Sequence, residues 1–532
     1  MPPSIALLEG RQRPMFSSLL RDIFKFALFA ILLGGDAHAV NEAPAPNKTD
    51  LGTLLKRVQE RHGLRIQWPE SLSHDVIAIP ASQTQDPDLA RLLKGYNWIG
   101  VRDVTGAWSS VSITGRNGDG HAGAPSASSE VPFKYRAPPK RIPKKYRGLP
   151  KGSVYPVDIS VAMLRKMSLG ERLVLNLPSG DHALLHDRAW DHANGDRTWV
   201  GKEITDQGLY RTLITLGDHD QIDGQIVTPE GTYQLESDQN GQWLIDLKAS
   251  GLQPGSFDQG GIPPVIPAVV TSTMASAGSS TAHSSPSPGF TGGSSGQRGA
   301  QIDLLLLYTE DLSNSDPLTR LNSLIAFANQ AMIDSKVSIQ FNLLDAKEVA
   351  YSHEATNLVA LNQLTSSQDA FKSVNQQREK LGADLVLLIR PFHPTTADNS
   401  CGDAWINGGS GSGLSPDLAF GVVNDGRAGG LYCSNYTLAH ELGHLLGAAH
   451  DRSHASSPGH FSYSYGYGKQ GIFGDIMSYF SPEVGIYANP DLTDCLGERC
   501  GIEMGKTNEA DVAATLKETG PVVAQFATIS AH

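Results

Sequence analysis

The run His440-Glu441-Leu442-Gly443-His444-Leu445-Leu446-Gly447-Ala448-Ala449-His450-Asp451 restricts what this chain can fold into more than any other stretch. Residues 437–446 carry no proline and are rich in Leu and Ala, which predicts a helix. Positions four apart share a helix face, so His440 and His444 aim two imidazoles at one point. Gly447 then ends the helix, because glycine enters the left-handed conformation of a helix C-terminus without steric cost. The turn brings His450 back as a third ligand. Three neutral imidazoles hold one zinc ion and leave its fourth position to water. The Glu441 carboxylate can reach that water without displacing it. Zinc lowers the pKa of its water towards roughly 7, and a carboxylate can take that proton and return it to a leaving amine. The residues therefore predict one catalytic Zn2+ on His440, His444 and His450, with Glu441 as general base and acid.

Downstream, Asp475-Ile476-Met477-Ser478-Tyr479 follows a loop rich in Gly and Tyr at 463–468. Together with the histidine run this resembles the metzincin clan of zinc peptidases. The resemblance implies that Met477 is the methionine of the Met-turn, a hydrophobic floor beneath the metal. Asp451 after the third histidine resembles the reprolysin (adamalysin) branch, where such a residue is a buried structural carboxylate rather than a ligand. Cys401-Gly402-Asp403-Ala404, a strand-like stretch at 419–423, Tyr432-Cys433 and Asn489-Pro490 are similar to bacterial reprolysin-like and peptidyl-Asp metallopeptidases. That likeness spans residues 300–532 and implies an α/β/α layout and protein or peptide substrates, with a hint of acidic-residue preference. Tyr479 has a spacing from Met477 that in astacin-like and serralysin-like metzincins brings a tyrosine to the zinc or the transition state. Two readings of it stay open: a fifth or transition-state ligand, or packing beside the helix. Residues 487–492 are expected to wall a specificity pocket. His454 and His460 read as solvated loop residues.

The net charge of −12 and sequence pI near 5.8 give no footprint for nucleic acid. Residues 11–25 are basic, 26–33 form a short apolar core, and Ala37-His38-Ala39 is an A-x-A site. This predicts a signal peptide over 1–39 and a secreted, extracellular product, with periplasmic transit on the way. The apolar stretch is too short for an ordinary membrane span. All four cysteines, Cys401, Cys433, Cys495 and Cys500, lie in the catalytic region. An even number in an exported chain suggests two disulfides, and four cysteines allow three pairings. Cys401–Cys433 and Cys495–Cys500 are preferred, the second closing a tight loop.

The predicted organisation is multidomain. Residues 40–115 form a small α+β module, with Leu51, Leu54, Leu55 and Val58 at helical spacing and Leu89, Leu92 and Leu93 repeating it. Its pattern resembles the short N-terminal domain of secretins and TonB-dependent receptors. Residues 116–151 read as a basic, Pro-rich linker. Strands at 173–177, 198–201, 224–227 and 231–235 suit an antiparallel β domain over 152–249, which resembles the β-rich propeptides of bacterial reprolysin-like proteases. It has no cysteine, so latency has to come from steric blocking or from a ligand such as His182, His186, His192 or His219. Residues 250–299 form a Gly/Ser/Pro linker in which activation cleavage is expected. In the catalytic domain, 418–423 is expected to be the edge strand that pairs with extended substrate, and 508–516 a helix. The chain is thus expected to be a monomeric, secreted metalloendopeptidase made as a zymogen-like preproprotein, with structural Ca2+ left open. Two alternatives are a catalytically silent envelope or adhesion protein on the same scaffold, and a zinc hydrolase for non-peptide amides.

Overall fold

The computed structural model describes residues 47–62, 65–68, 72–79, 93, 96–102, 108–116, 132–139, 141–203, 209–256, 299–312, 316–352 and 354–530. The expected signal peptide, Leu89 and Leu92 lie outside them. Two compact units divide at Ser128/Ser129. In the first, strand β1 (Asn47–Asp50) pairs antiparallel with β3 (Val76–Ile79), while β5 (Trp108–Arg116) pairs with β2 (Arg65–Gln67) and β4 (Tyr96–Arg102). Helix α1 (Leu51–His62) starts where the Asp50 carboxylate accepts the Thr53 N–H at 2.8 Å. Its Leu51, Leu54, Leu55 and Val58 are buried against Ile66, Leu72, Leu93 and Ile113, as the helical spacing requires.

The second unit opens with a nine-stranded antiparallel sheet. Its strands are β6 (Phe133–Tyr135), β7 (Val154–Ile159), β8 (Arg172–Leu177), β9 (Gly180–Asp191), β10 (Arg197–Glu203), β11 (Arg211–Leu216), β12 (Ile222–Thr228), β13 (Gly231–Asp238) and β14 (Gly241–Asp246), in the order β6-β7-β14-β13-β12-β11-β10-β9-β8. Helix α2 (Val161–Lys166) follows β7. The sheet curls until its end strands meet, with the Tyr135 hydroxyl donating to the Asn176 carbonyl at 2.9 Å. Alternate residues such as Leu173, Leu175, Trp199, Ile214, Ile226 and Leu235 fill the interior. This β domain is wider than the expected 152–249. Phe133–Tyr135 pairs with β7 and Tyr146 is buried against Trp243, so part of the stretch read as a linker belongs to the fold. At the other end, Gln253–Pro254 (β15) runs parallel to β22 (Leu431–Tyr432), and the Cys401 N–H donates to the Ser256 carbonyl at 2.7 Å. Residues 253–256, read as the start of the second linker, are thus paired with the catalytic region.

The catalytic region is an α/β/α sandwich. Strands β17 (Ile339–Glu348), β16 (Ala300–Tyr308), β18 (Leu385–Pro391) and β20 (Phe420–Asp425) lie parallel in that order, and β19 (Gly402–Ala404) closes the sheet antiparallel to β20. Ile302, Leu304 and Leu306 face helices α3 (Pro317–Asp334), α6 (Thr437–Leu445) and α7 (Val512–Val523). Leu305 and Leu307 face α4 (Asn357–Thr365) and the segment before α5 (Val374–Leu381). Both faces are covered, which is why β16 and β18 read as unbroken apolar runs. The expected edge strand at 418–423 is in fact interior, and the edge is β19. The C-terminal helix starts at Val512 rather than 508, where the Asp511 carboxylate accepts the Ala514 N–H.

Helix α3 is buried from Thr319 to Met332 because it lies between two layers. One is the catalytic sheet. The other is the outer face of the β domain, whose Trp190, Val200 and Leu213 join the same core as the zinc-motif helix α6. Polar groups seal this contact. The Arg320 guanidinium donates to Asp223 of the β domain at 2.7 Å, to Asp425 at 2.6 and 3.0 Å, and to Asn435 at 2.7 Å. Arg211 reaches across to Asp334, Asn322 to Asp196, and Arg427 to Glu236.

Arg320→Ala leaves two buried carboxylates facing each other, and breaking such a pair from one side costs about 3–5 kcal/mol. Urea denaturation should show that loss as a lower midpoint. The Glu236 contact gives a pH signature. Burial alone would raise this carboxyl, but Arg427 and Lys145 outweigh burial and hold it at about 2, against 4.5 unperturbed. The unfolded chain therefore binds this proton first as pH falls. The stabilisation is complete above pH 4.5 and is lost between there and about 2. Melting temperatures across that range should fall less steeply in Glu236→Gln than in wild type.

Candidate metal and catalytic centre

Helix α6 presents His440 and His444 one turn apart, and Gly447, at φ +91°, turns the chain so that His450 faces them. The three Nε2 atoms lie 3.0–3.1 Å from one another, and all three rings are buried. His440 Nδ1 lies 2.6 Å from the Ile476 carbonyl and His444 Nδ1 lies 2.8 Å from the Ala448 carbonyl. A carbonyl only accepts, so both rings are protonated at Nδ1 and turn an Nε2 lone pair to the centre. Converging lone pairs with outward N–H groups suit an ion bound at ~2.0–2.1 Å per nitrogen. The residues present therefore fit the expected zinc.

Glu441 is fully buried beside the triad. A Cβ on Gly402 of edge strand β19 would collide with the Glu441 carboxylate, so that carboxylate is backed by bare backbone. The sequence marked Gly402 only as part of a family-like stretch, with no link to Glu441 and no sign that it occupies the sheet edge. The edge strand, the carboxylate and the triad form one wall.

Met477 is fully buried in the core that includes Leu438, Leu442 and Tyr487. Its turn is pinned twice. Asp475 accepts the Met477 and Tyr467 N–H groups, each at 3.0 Å, and Asp451 accepts the Tyr479 N–H at 3.1 Å. Asp451 is thus placed as the likeness implied, under the turn. Burial drives the Asp475 carboxyl well above the ordinary carboxylate range.

Tyr479 packs its ring between His450 and His454, at 4.7 and 5.1 Å. His454 is exposed in a turn, as expected, and its Nδ1 lies 2.8 Å from the Asp451 carboxylate. His460 likewise donates to the Gly408 carbonyl and packs on Phe461. Neither joins the triad. Of the paper candidates for latency, His182 bonds Ser179 and Glu203, His186 the Ser168 carbonyl, and His192 Thr198, all inside the β domain. Tyr487, expected in a pocket wall, is fully buried, and its hydroxyl donates to the Ala439 carbonyl at 2.6 Å. The residues that line a cavity there are Ser481 to Gly485. Both preferred disulfides, Cys401–Cys433 and Cys495–Cys500, are formed.

Residues 305–505 match the family described as Metallo-peptidase family M12B Reprolysin-like, and residues 138–249 match the BamI lipocalin-like domain. The chain is similar to a peptidyl-Asp metalloendopeptidase of Pseudomonas aeruginosa, 28% identical over 253 residues, which cover 42% of this chain and 40% of that protein. A protein of the same name from Stenotrophomonas maltophilia is 29% identical over 214 residues, covering 38% and 46%. The chain thus spans less than half the length of these relatives. The converging imidazoles and the family match agree: residues 305–505 are similar to the reprolysin-like metallopeptidases of family M12B, and the β domain before them is similar to a lipocalin-like domain.

Proposed function

We propose that this chain is a secreted zinc endopeptidase made as a preproprotein, with His440, His444 and His450 as zinc ligands and Glu441 as general base and acid. One observation carries the reading: three buried Nε2 atoms within 3.1 Å of one another, beside a buried glutamate. Zinc, when bound, supplies Lewis acidity and lowers the pKa of water to ~7. Glu441 takes the proton of the attacking water and passes it to the departing amine. Gly402 sets where that carboxylate stands, and β19 offers its free edge to an extended peptide backbone. Tyr479 serves by packing His450 in place. The substrate class is protein or peptide; the relatives' name would imply cleavage at aspartate.

The zymogen reading takes a particular form. Cleavage within 257–299 would leave the β domain seated on α3, because α3 has no solvent-facing side to return to. The β domain then acts as a lasting second layer of the enzyme rather than as a plug in the cleft.

Casein cleavage by purified protein should be lost in Glu441→Ala and in wild type with a chelator, while metal analysis finds zinc retained in Glu441→Ala. Retained cleavage in Glu441→Ala would sink the mechanism, and a wild type that holds zinc without cleaving would favour the silent binding protein. Gly402→Ala should displace the Glu441 carboxylate. A 1 Å misplacement of a catalytic group costs about 100-fold in rate, so kcat should fall by that order with zinc content unchanged.

A further inference from the structure

We propose that a cavity beside the zinc-motif helix, closed jointly by the β domain and the loop after the Met-turn, is a side-chain subsite that selects a lysine or arginine of the substrate through Glu483. The inference rests on the peptidase reading above and names its substrate class.

The cavity has a volume of about 310 Å³. Tyr436, Pro482, Glu483 and Gly485 line it from the catalytic domain, and Val227 and Glu230 from the β domain. Its place next to the chemistry follows from the backbone. The His440 N–H donates to the Tyr436 carbonyl, so Tyr436 stands one helical turn before the first zinc ligand. On the other wall, Ile476 offers its carbonyl to His440 Nδ1 and donates its N–H to Ile486 at 2.9 Å. The Val484 N–H in turn donates to the Gly474 carbonyl at 2.8 Å. The segment 483–486 is therefore fastened to the stretch 474–476, which holds the His440 imidazole.

The chemistry of the lining is one-sided. Its two charged residues are Glu230 and Glu483, and no lysine or arginine lines it among the described residues. Glu483 Oε2 accepts from the Ser434 hydroxyl, while Oε1 is shielded from solvent and has no hydrogen-bond partner among the described residues. A buried, unmatched carboxylate oxygen is costly. Elsewhere in this protein the buried carboxylates of Asp223, Asp334 and Glu236 each face an arginine. Glu483 lacks one, and burial holds its carboxyl at about 7. A guanidinium or ammonium entering with the substrate would supply the missing donor and favour the ionised form. An aspartate side chain in the same place would meet like charge.

The experiment is cleavage of a mixed peptide library by the full-length protein above pH 7.5, beside casein as a reference substrate and thermal melting as a check on folding. Wild type should favour Lys or Arg over Ala about 10-fold or more in kcat/KM at one fixed position from the scissile bond, and Glu483→Gln should bring that ratio near parity at an unchanged melting temperature. If Glu483→Gln melts early, Glu230→Gln on the exposed rim is read instead, with a reduced ratio expected. A wild type that cleaves casein without basic preference, a preference for Asp, or a ratio unmoved in a stable variant overturns the inference. A wild type that cleaves no casein overturns the peptidase reading itself, a result distinct from these.

Discussion

Three imidazole nitrogens facing one another at 3.0–3.1 Å form an arrangement that only a cation makes favourable, and the surrounding chain is built to impose it. Each support is a backbone group that belongs to another feature. The carbonyl holding His440 comes from Ile476 in the turn before Met477, and the one holding His444 comes from the chain just after Gly447. Asp451 follows the last ligand directly and fixes the far end of the Met-turn through the Tyr479 N–H. Helix, turn and floor thus share their hydrogen bonds, so none can move without turning an imidazole.

The same logic extends outward through α3. Phe327 on that helix meets Tyr436 edge-on at 5.3 Å, and Tyr436 carries the carbonyl that receives the His440 N–H. On its other side α3 is covered by Val200 and Leu213 of the β domain and locked by Arg320 to Asp223. Burying one such aliphatic side chain is worth ~1.5–3 kcal/mol, and here the gain is shared between two domains. Stripping the β domain away would expose apolar surface and remove Asp223, one of the two carboxylates that hold Arg320. Its sheet is therefore part of what keeps the zinc-motif helix in place.

What was legible in the sequence, and what was not, divides along range of interaction. The zinc helix, its ending at Gly447, α1 and the interior strands could be read because periodicity and glycine conformational freedom act locally. The position of β20 could not. An apolar run tells that a strand is buried, but whether its neighbour is solvent or the three residues of β19 depends on pairing across the sheet. Phe133–Tyr135 looked like linker because it sits among lysines and prolines, and only its pairing with β7 makes it a strand. Arg320 was an unremarked charge in an amphipathic pattern, since its partner Asp223 lies 97 residues away. Tyr487 was assigned to a pocket wall from its distance after the Met-turn. Its hydroxyl instead finds a helix carbonyl in the core, and the cavity after Met477 is lined by Glu483 and Gly485.

Glycines in this site carry a constraint that composition does not reveal. Gly402, Gly443 and Gly466 all lie outside the left-handed region, so none is needed for a turn. Each is there because something passes too close for a side chain. A Cβ on Gly443 would stand 2.5 Å from Met477 Sδ and 3.2 Å from the Tyr487 ring, and one on Gly466 would stand 2.7 Å from the Met477 carbonyl. The helix that carries His440 and His444, the loop before Met477 and Met477 itself therefore approach more closely than any other residue type permits. That contact fixes how far Met477 stands from the helix that bears two of the imidazoles. On the opposite side Gly402 does the same for the Glu441 carboxylate. The spacing between ligand helix, floor and base is set by backbone against side chain on both sides, so the catalytic geometry depends on where side chains are missing as much as on where they stand.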